Sequence, residues 1–318
     1  MVHASKIVFF GTSEFGAIIL EKLVQAEMIP VLVVTIPDKP AGRKQVLTPP
    51  PVKVVAQKLR IPIIQPEKLS EDTRYKIQDT SPNLFVVAAY GKILPKVLLN
   101  IPQKGSLNVH PSLLPKYRGS SPIQAVLLNG DKETGVSIIV LDEEMDHGPI
   151  IANSKFEIRN SKFTYPELHN ALAELGGDLL IRIIPLWVEG RIQAKAQDDS
   201  KATYTSHITK EDGKIDWNKE AMYIERQVRA LYPWPGTFTM CNIDGKQKMM
   251  KILKASVLSQ DRPFGKPGQT FPPPLPGIAV QTREDALLLE ELQLEGGKPM
   301  SSKEFLLGHK NFVGTNLK

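Results

Sequence analysis

Through the first two-thirds of the chain, short continuous apolar runs alternate with segments whose apolar residues recur at helical spacing. Residues 6–10 (KIVFF) end at Gly11, and a helical pattern follows over 13–26. The run at 31–35 (VLVVT) leads into a polar, proline-bearing loop and then a helix over 52–60. Residues 61–65 (IPIIQ) and 84–90 (LFVVAAY) read as further strands, bounded by proline and by Tyr90-Gly91. Strands apolar throughout and separated by helices predict a mostly parallel sheet covered on both faces, an α/β doubly wound, Rossmann-like domain. Such domains bind ligands at the carboxyl ends of their strands.

The pattern changes after the predicted helix at 164–189. The apolar periodicity lapses in GRIQAKAQDDSKATYT, so 191–206 is expected to be a linker of small and polar residues. One helix follows in WNKEAMYIERQVRALYPWPG, ended by Pro233 and Pro235. Short strand candidates come next at 236–240, 248–257, 277–282 and 286–292, with a hairpin turn at Asn-Ile-Asp-Gly (242–245). The expected organisation is a catalytic domain over 1–190 and a smaller, OB-like β-barrel domain over 207–318, carrying a proline-rich loop at 263–276.

Composition narrows the class without choosing a reaction. The 318 residues suffice for two ordinary domains, and 42% hydrophobic with 23% charged residues describes a globular chain. Cys241 is the only cysteine, which rules out an intrachain disulfide framework. An apolar run near the required 20 residues for a membrane helix is absent, and the first strand begins almost at once. The expectation is a cytoplasmic monomer with no membrane partner. A net charge of +6 is compatible with a polyanionic partner.

Candidate chemistry sits at strand ends. In SLNVHPSLLPKYRG, Asn108 and His110 lie where a strand runs into Pro111. Asp146 closes GVSIIVLDEEMDHG, in a loop between two strand runs, so the two halves are expected to meet at one edge of the sheet. An amide, an imidazole and a carboxylate can stabilise an oxyanion and move a proton in acyl transfer. Asp142, Glu143, Glu144 and Asp146 would otherwise be a solvated acidic loop, but Gly148 and the apolar run behind it pin the end of the cluster. His147 ranks below His110, because an extended chain turns it away from Asp146. Gly11–Gly16 (GTSEFG) lacks the middle glycine of a dinucleotide fingerprint, and reads as a tight turn with close helix packing. The histidines show no metal-ligand spacing, so no metal is expected.

NVHPSLLPKYRGSSPI followed by GVSIIVLDEEMDHGPII resembles the folate-dependent formyltransferases in residue type and spacing. The resemblance extends through VTIPDKPAGRKQVLTPPPVK, ERQVRALYPWPG and KPMSSKEFLLGHKNFV, which are similar to the branch that acts on tRNA. The catalytic segment alone is also similar to members that formylate other amines, amino sugars among them.

The resemblance implies formyl transfer from 10-formyltetrahydrofolate to the α-amino group of methionyl initiator tRNA. Asn108 and His110 would stabilise the oxyanion, and Asp146 would orient His110 and relay the amine's proton. Folate would lie against Val87, Ala88, Ala89, Tyr90 and Gly91, against Ser112, Leu113, Leu114 and Pro115, and against Leu141, Asp142 and Glu143. Lys39, Arg43 and Lys44 in the PDKPAGRK loop, with a second basic run of Lys246, Lys248, Lys251 and Lys254, would contact the tRNA.

Overall fold

A computed structural model describes residues 6–42, 45–158, 162–274 and 276–318. Arg43 and Lys44 lie outside the described residues. The chain divides into two compact units. One comprises Met1–Pro122, Glu133–Glu157 and Leu168–Thr205, and the other Ile123–Lys132, Ile158–Glu167 and Ser206–Lys318.

The first unit is built on strands β1 (Ile7–Gly11), β2 (Leu32–Val34), β5 (Ile63–Ile64), β6 (Leu84–Ala88), β7 (Ser106–His110), β9 (Glu133–Val140) and β10 (Ile150–Glu157). They form a seven-stranded sheet in the order β10-β9-β7-β6-β1-β2-β5. β1, β2, β5, β6 and β7 pair in parallel, while β9 runs antiparallel to β7 and β10 antiparallel to β9. The continuous apolar runs are the central strands: every residue of β1 and β6 is buried, as strands covered on both faces require. β10 alternates between more and less exposed residues, the signature of an edge strand with one wet face.

Helices α1 (Glu14–Gln25), α2 (Pro51–Lys58), α3 (Glu71–Gln78), α4 (Lys96–Leu99) and α6 (Tyr165–Val188) accompany these strands, and α5 (Pro122–Asn129) precedes β9. The Gly11–Gly16 turn has a packing reason. A Cβ on Gly16 would sit 2.6 Å from the Ala88 carbonyl oxygen, so α1 can approach β6 only through glycine. Lys22 then joins α1 to α6 through Glu174 and Asp178, at 2.8 and 2.6 Å. A small hairpin pairs β3 (Lys39–Ala41), from the PDKPAGRK segment, with β4 (Val46–Thr48).

Residues 191–206 are not a free linker. Lys195 exchanges two backbone hydrogen bonds with Ile150, both 2.8 Å. Farther on, β11 (Tyr204–Thr205) pairs in parallel with β8 (Arg118–Gly119), and Arg118 N donates to Thr203 O. The segment is a strap laid on the first unit. Main-chain hydrogen bonds hold it, and these need no apolar side chains, so a hydropathy pattern does not reveal them.

The second unit holds α7 (Ala221–Ala230) and strands β12 (Thr237–Ile243), β13 (Lys246–Leu258), β14 (Thr270–Phe271), β15 (Ile278–Gln281), β16 (Ala286–Leu294) and β17 (Met300–Ser301). They pair antiparallel in the order β12-β13-β16-β15-β14, with β17 beside β16. Asp244 and Gly245 both have positive φ, the conformation the tight hairpin between β12 and β13 needs. Trp217, Ile224, Met250, Ile252, Leu289, Phe305 and Leu317 share the core of the curled sheet. The tail closes its open side: Met240 exchanges backbone hydrogen bonds with Lys318 at 2.8 and 2.9 Å, while Leu317 N reaches Gly268 O and Thr270 N reaches Thr315 O. α8 (Ser302–Gly308) begins with a capping box between Ser301 and Glu304.

Candidate active site

Strand alternation puts Ser106, Asn108 and His110 on one face of β7. Asn108 is partly buried, and His110 is 4% exposed. The ring is anchored by Nε2, which lies 3.0 Å from the Tyr117 carbonyl oxygen. A carbonyl only accepts, so Nε2 carries a proton and Nδ1 is the ring atom left for chemistry. Nδ1 lies 3.6 Å from Asp146 Oδ2.

Asp146 arrives by an indirect route. β9 runs antiparallel to β7 and ends with Val140 opposite Leu107, and Leu141 N donates to Ser106 O. The loop to β10 therefore leaves beside the amino end of β7, away from the carboxyl end at which Asn108 and His110 were expected to meet it. It folds back toward the carboxyl end, where Gly119 N donates to Asp146 Oδ2 at 2.9 Å. Asp146 itself adopts φ 51, a left-handed conformation that aspartate tolerates better than most residues. Gly148 is obligatory in this loop, because a Cβ there would overlap the Val140 carbonyl.

The expected folate residues divide into exposed and internal groups. Val87, Ala88 and Tyr90 are buried, whereas Ala89 and Gly91 form an exposed turn with φ 48 and 80. Space around Gly91 is open: an added Cβ would meet nothing within 4 Å. The Tyr90 side chain is not at this surface. It stacks edge-on to Phe10 in the core, and burial pushes its hydroxyl up to about 12. Ser112 and Leu114 are buried too, with Ser112 Oγ on Lys116 O, and Leu114 N on Ser137 Oγ. These polar groups are spent inside the protein, whereas Leu113 and Pro115 are partly exposed. Leu141 packs on the core, Asp142 accepts from His147 Nδ1 at 2.7 Å, and exposed Glu143 pairs with Lys96.

Residues 5–184 match the family described as "Formyl transferase", and residues 207–310 match "Formyl transferase, C-terminal domain". The chain belongs to the formyl transferase family. It is 42% identical over 305 residues to a methionyl-tRNA formyltransferase of Halalkalibacterium halodurans, covering 95% of this chain and 94% of that protein. The enzyme of the same name from Staphylococcus aureus strain MW2 is 38% identical, covering 98% of this chain and 99% of its own length. Among solved structures, an N-formyltransferase from Helicobacter canadensis in complex with folinic acid and dTDP-3-aminofucose has TM-score 0.63 at 19% identity, covering 90% of this chain and 98% of that one. HypX from Aquifex aeolicus, in complex with tetrahydrofolic acid, has TM-score 0.62 at 16% identity, covering 98% of this chain and 48% of that one. At such identities these two structures establish the fold.

In this formyltransferase the basic residues fall in separate places. Lys39 is exposed on the β3–β4 hairpin. The preceding Asp38 is held by Gln65 Nε2 and Lys53 Nζ, both at 2.7 Å, and these contacts lower its carboxyl below the usual range. The second basic run does not form one face. Lys246 and Lys248 alternate in step with buried Met250 and Ile252, whereas Lys251 points the other way. A bulge around Lys254 then returns that residue to the outer side, where it pairs with Glu290 at 3.2 Å. Spacing in the sequence cannot show this, since the register depends on the bulge and on which face meets the core.

Sequence reasoning also missed a polar network behind Asp146. Arg118, 2% exposed, donates to Gln197 Oε1, Asp199 Oδ1 and the Tyr204 hydroxyl. His147 Nε2 lies 3.6 Å from Asp199 Oδ2. The hydrogen bond to Asp142 raises the His147 imidazole above its ordinary range. Arg118 stands in the quoted KYRG motif, but Gln197 sits in a polar stretch with no signal. Among the described residues, no group of three or more His, Cys, Asp or Glu is arranged to hold a metal ion, and no helix is long and apolar enough to cross a membrane.

Proposed function

We propose that this chain transfers the formyl group of 10-formyltetrahydrofolate to the α-amino group of methionine carried on initiator tRNA, in the cytoplasm. The observation that carries this reading is the match to methionyl-tRNA formyltransferases at 38–42% identity across 95–98% of the chain, both units included.

The neutral amine attacks the formyl carbon, and the carbonyl oxygen becomes an oxyanion. The side-chain amide of Asn108 donates to that oxygen; one such donor is typically worth about 3 kcal/mol in the transition state. Since Nε2 of His110 is committed to Tyr117, the second donation comes from Nδ1 once it carries a proton, with Asp146 Oδ2 beside it to balance the charge. The new C–N bond forms, the bond to the folate nitrogen breaks, and the proton lost by the amine passes by way of Asp146, directly or through a water, to that nitrogen. The open Ala89–Gly91 turn and the loop around Asp142 are the surfaces that would take the pterin. Phosphates of the tRNA would meet Lys39 and Arg43 with Lys44 in the first unit, and lysines among Lys246, Lys248, Lys251 and Lys254 in the second.

Incubation with 10-formyltetrahydrofolate and methionyl initiator tRNA should yield formyl-methionine on acid hydrolysis. A competent donor that gave no product with this acceptor, but turned over with a nucleotide-linked amino sugar, would reassign the substrate.

A further inference from the structure

The strap reaches the candidate site through Gln197. Its Nε2 donates to Asp146 O at 2.7 Å and to Gly148 O at 2.8 Å. Its Oε1 accepts from Arg118 Nε at 3.1 Å and Nη2 at 2.9 Å. The amide orientation is thus unambiguous, since a flipped amide would set its oxygen against two carbonyls and its NH₂ against a guanidinium. Arg118 is in turn fixed by Asp199 Oδ1 at 2.6 Å and the Tyr204 hydroxyl at 3.2 Å. Contact with Arg118 holds the Asp199 carboxyl below its ordinary range.

These contacts bear on one atom of the mechanism. Asp146 Oδ2 is set by Gly119 N–H at 2.9 Å, and Gly119 follows Arg118 in β8. The dipeptide Arg118-Gly119 therefore holds Asp146 twice. It holds the carboxylate directly, and the backbone carbonyl through Gln197. Gly148 closes the other side of the loop, packed on the Val140 carbonyl. A loop that departs from the far end of β7 and carries a residue at φ 51 needs such bracing to keep its carboxylate beside His110.

We propose that Gln197 is a positioning residue for Asp146, with Arg118 as its anchor, so that the strap sets the geometry of proton transfer. The proposal rests on the proton-relay reading of Asp146 given above. Gln197→Glu is the most informative variant. It keeps the shape and the contact with Arg118, but replaces two N–H donors with an oxygen facing two carbonyls. Displacing a reacting group by about 1 Å can cost on the order of 100-fold in rate, so kcat should fall roughly 10- to 100-fold while both KM values stay within about twofold. Thermal stability should be close to that of the parent, and amides of residues 141–148 should exchange faster with solvent. On an Asp146→Asn background, Gln197→Glu should cost little further activity. Should Gln197→Glu fail to fold, Gln197→Met serves the same comparisons. A folded variant with parental kcat, an effect confined to KM, or full additivity with Asp146→Asn would overturn the proposal. Hydrogen exchange separates it from the functional reading: a parent that formylates no methionyl-tRNA refutes the reaction, whereas unchanged exchange over 141–148 refutes the positioning.

Discussion

Asp146 Oδ2 lies 3.6 Å from His110 Nδ1, although the strand that leads to Asp146 ends beside Leu107, near the opposite end of β7. The gap exceeds a hydrogen bond and leaves room for the pair to tighten around a reacting group. Asp146→Asn preserves an oxygen for Gly119 N–H but removes the charge beside Nδ1. Formyl transfer should drop by about 10²- to 10⁴-fold with the melting temperature nearly unchanged. Full-rate turnover by a folded Asp146→Asn protein would rule out the relay.

In the proposed mechanism Asn108 acts on the oxyanion and not on the ground state. Asn108→Ala should therefore lower kcat by about 10²- to 10³-fold and leave the KM for folate nearly constant. Steady-state kinetics with varied donor distinguishes this from a binding role, in which KM alone would rise.

His147 joins the loop to the strap network, and its contact with Asp142 raises its folded pKa. The sign follows directly. A raised pKa contributes stability fully present below the unfolded value, about 6.5, and lost as pH rises through the folded value. The stability difference between the parent and His147→Gln should thus shrink as pH rises above neutrality. Thermal melts at several pH values measure it, and a difference that widened with pH would contradict the assignment.

Closure of the second unit depends on the tail. Leu317 is 5% exposed within the core, and its N–H is bonded to Gly268 O. Leu317→Ala should destabilise this unit by about 2 to 4 kcal/mol, judged by the shift in urea unfolding. Loss of less than about 0.5 kcal/mol, a typical surface effect, would mean the tail does not seal the barrel.

The lysines of β13 face opposite ways, so one RNA surface cannot use them all alike. Lys246→Ala with Lys248→Ala, and Lys251→Ala with Lys254→Ala, should differ in their effect on tRNA affinity. The pair that meets phosphate should reduce the slope of log affinity against log salt by about 0.7 to 0.9 per lysine, and the other should leave it unchanged. Equal losses from both pairs would restore the single-run view.

Much of the architecture was legible because it depends on local patterning. The wholly buried β1 and β6, the glycine-dependent turn into α1, and the Asp244-Gly245 hairpin all follow from residue type and spacing. The candidate triad was legible as a set of residue types, and its motif carried the family. The direction in which each motif residue points was not legible. Among the residues expected to lie against folate, the side chain of Tyr90, the hydroxyl of Ser112 and the amide of Leu114 are engaged inside the protein. A motif records which residues occur and says nothing of which way each one points.

The sequence by itself determined the buried central strands, the helices between them, and the amide, imidazole and carboxylate available for acyl transfer. These rest on periodicity and on chemistry that side chains carry with them. Only the tertiary structure decided that Nε2 of His110 is occupied by Tyr117, that the Asp146 loop folds back along β7, and that a polar strap braces it through Gln197. Those features are made by hydrogen bonds between residues as many as 51 positions apart, which leave no periodic trace in the chain.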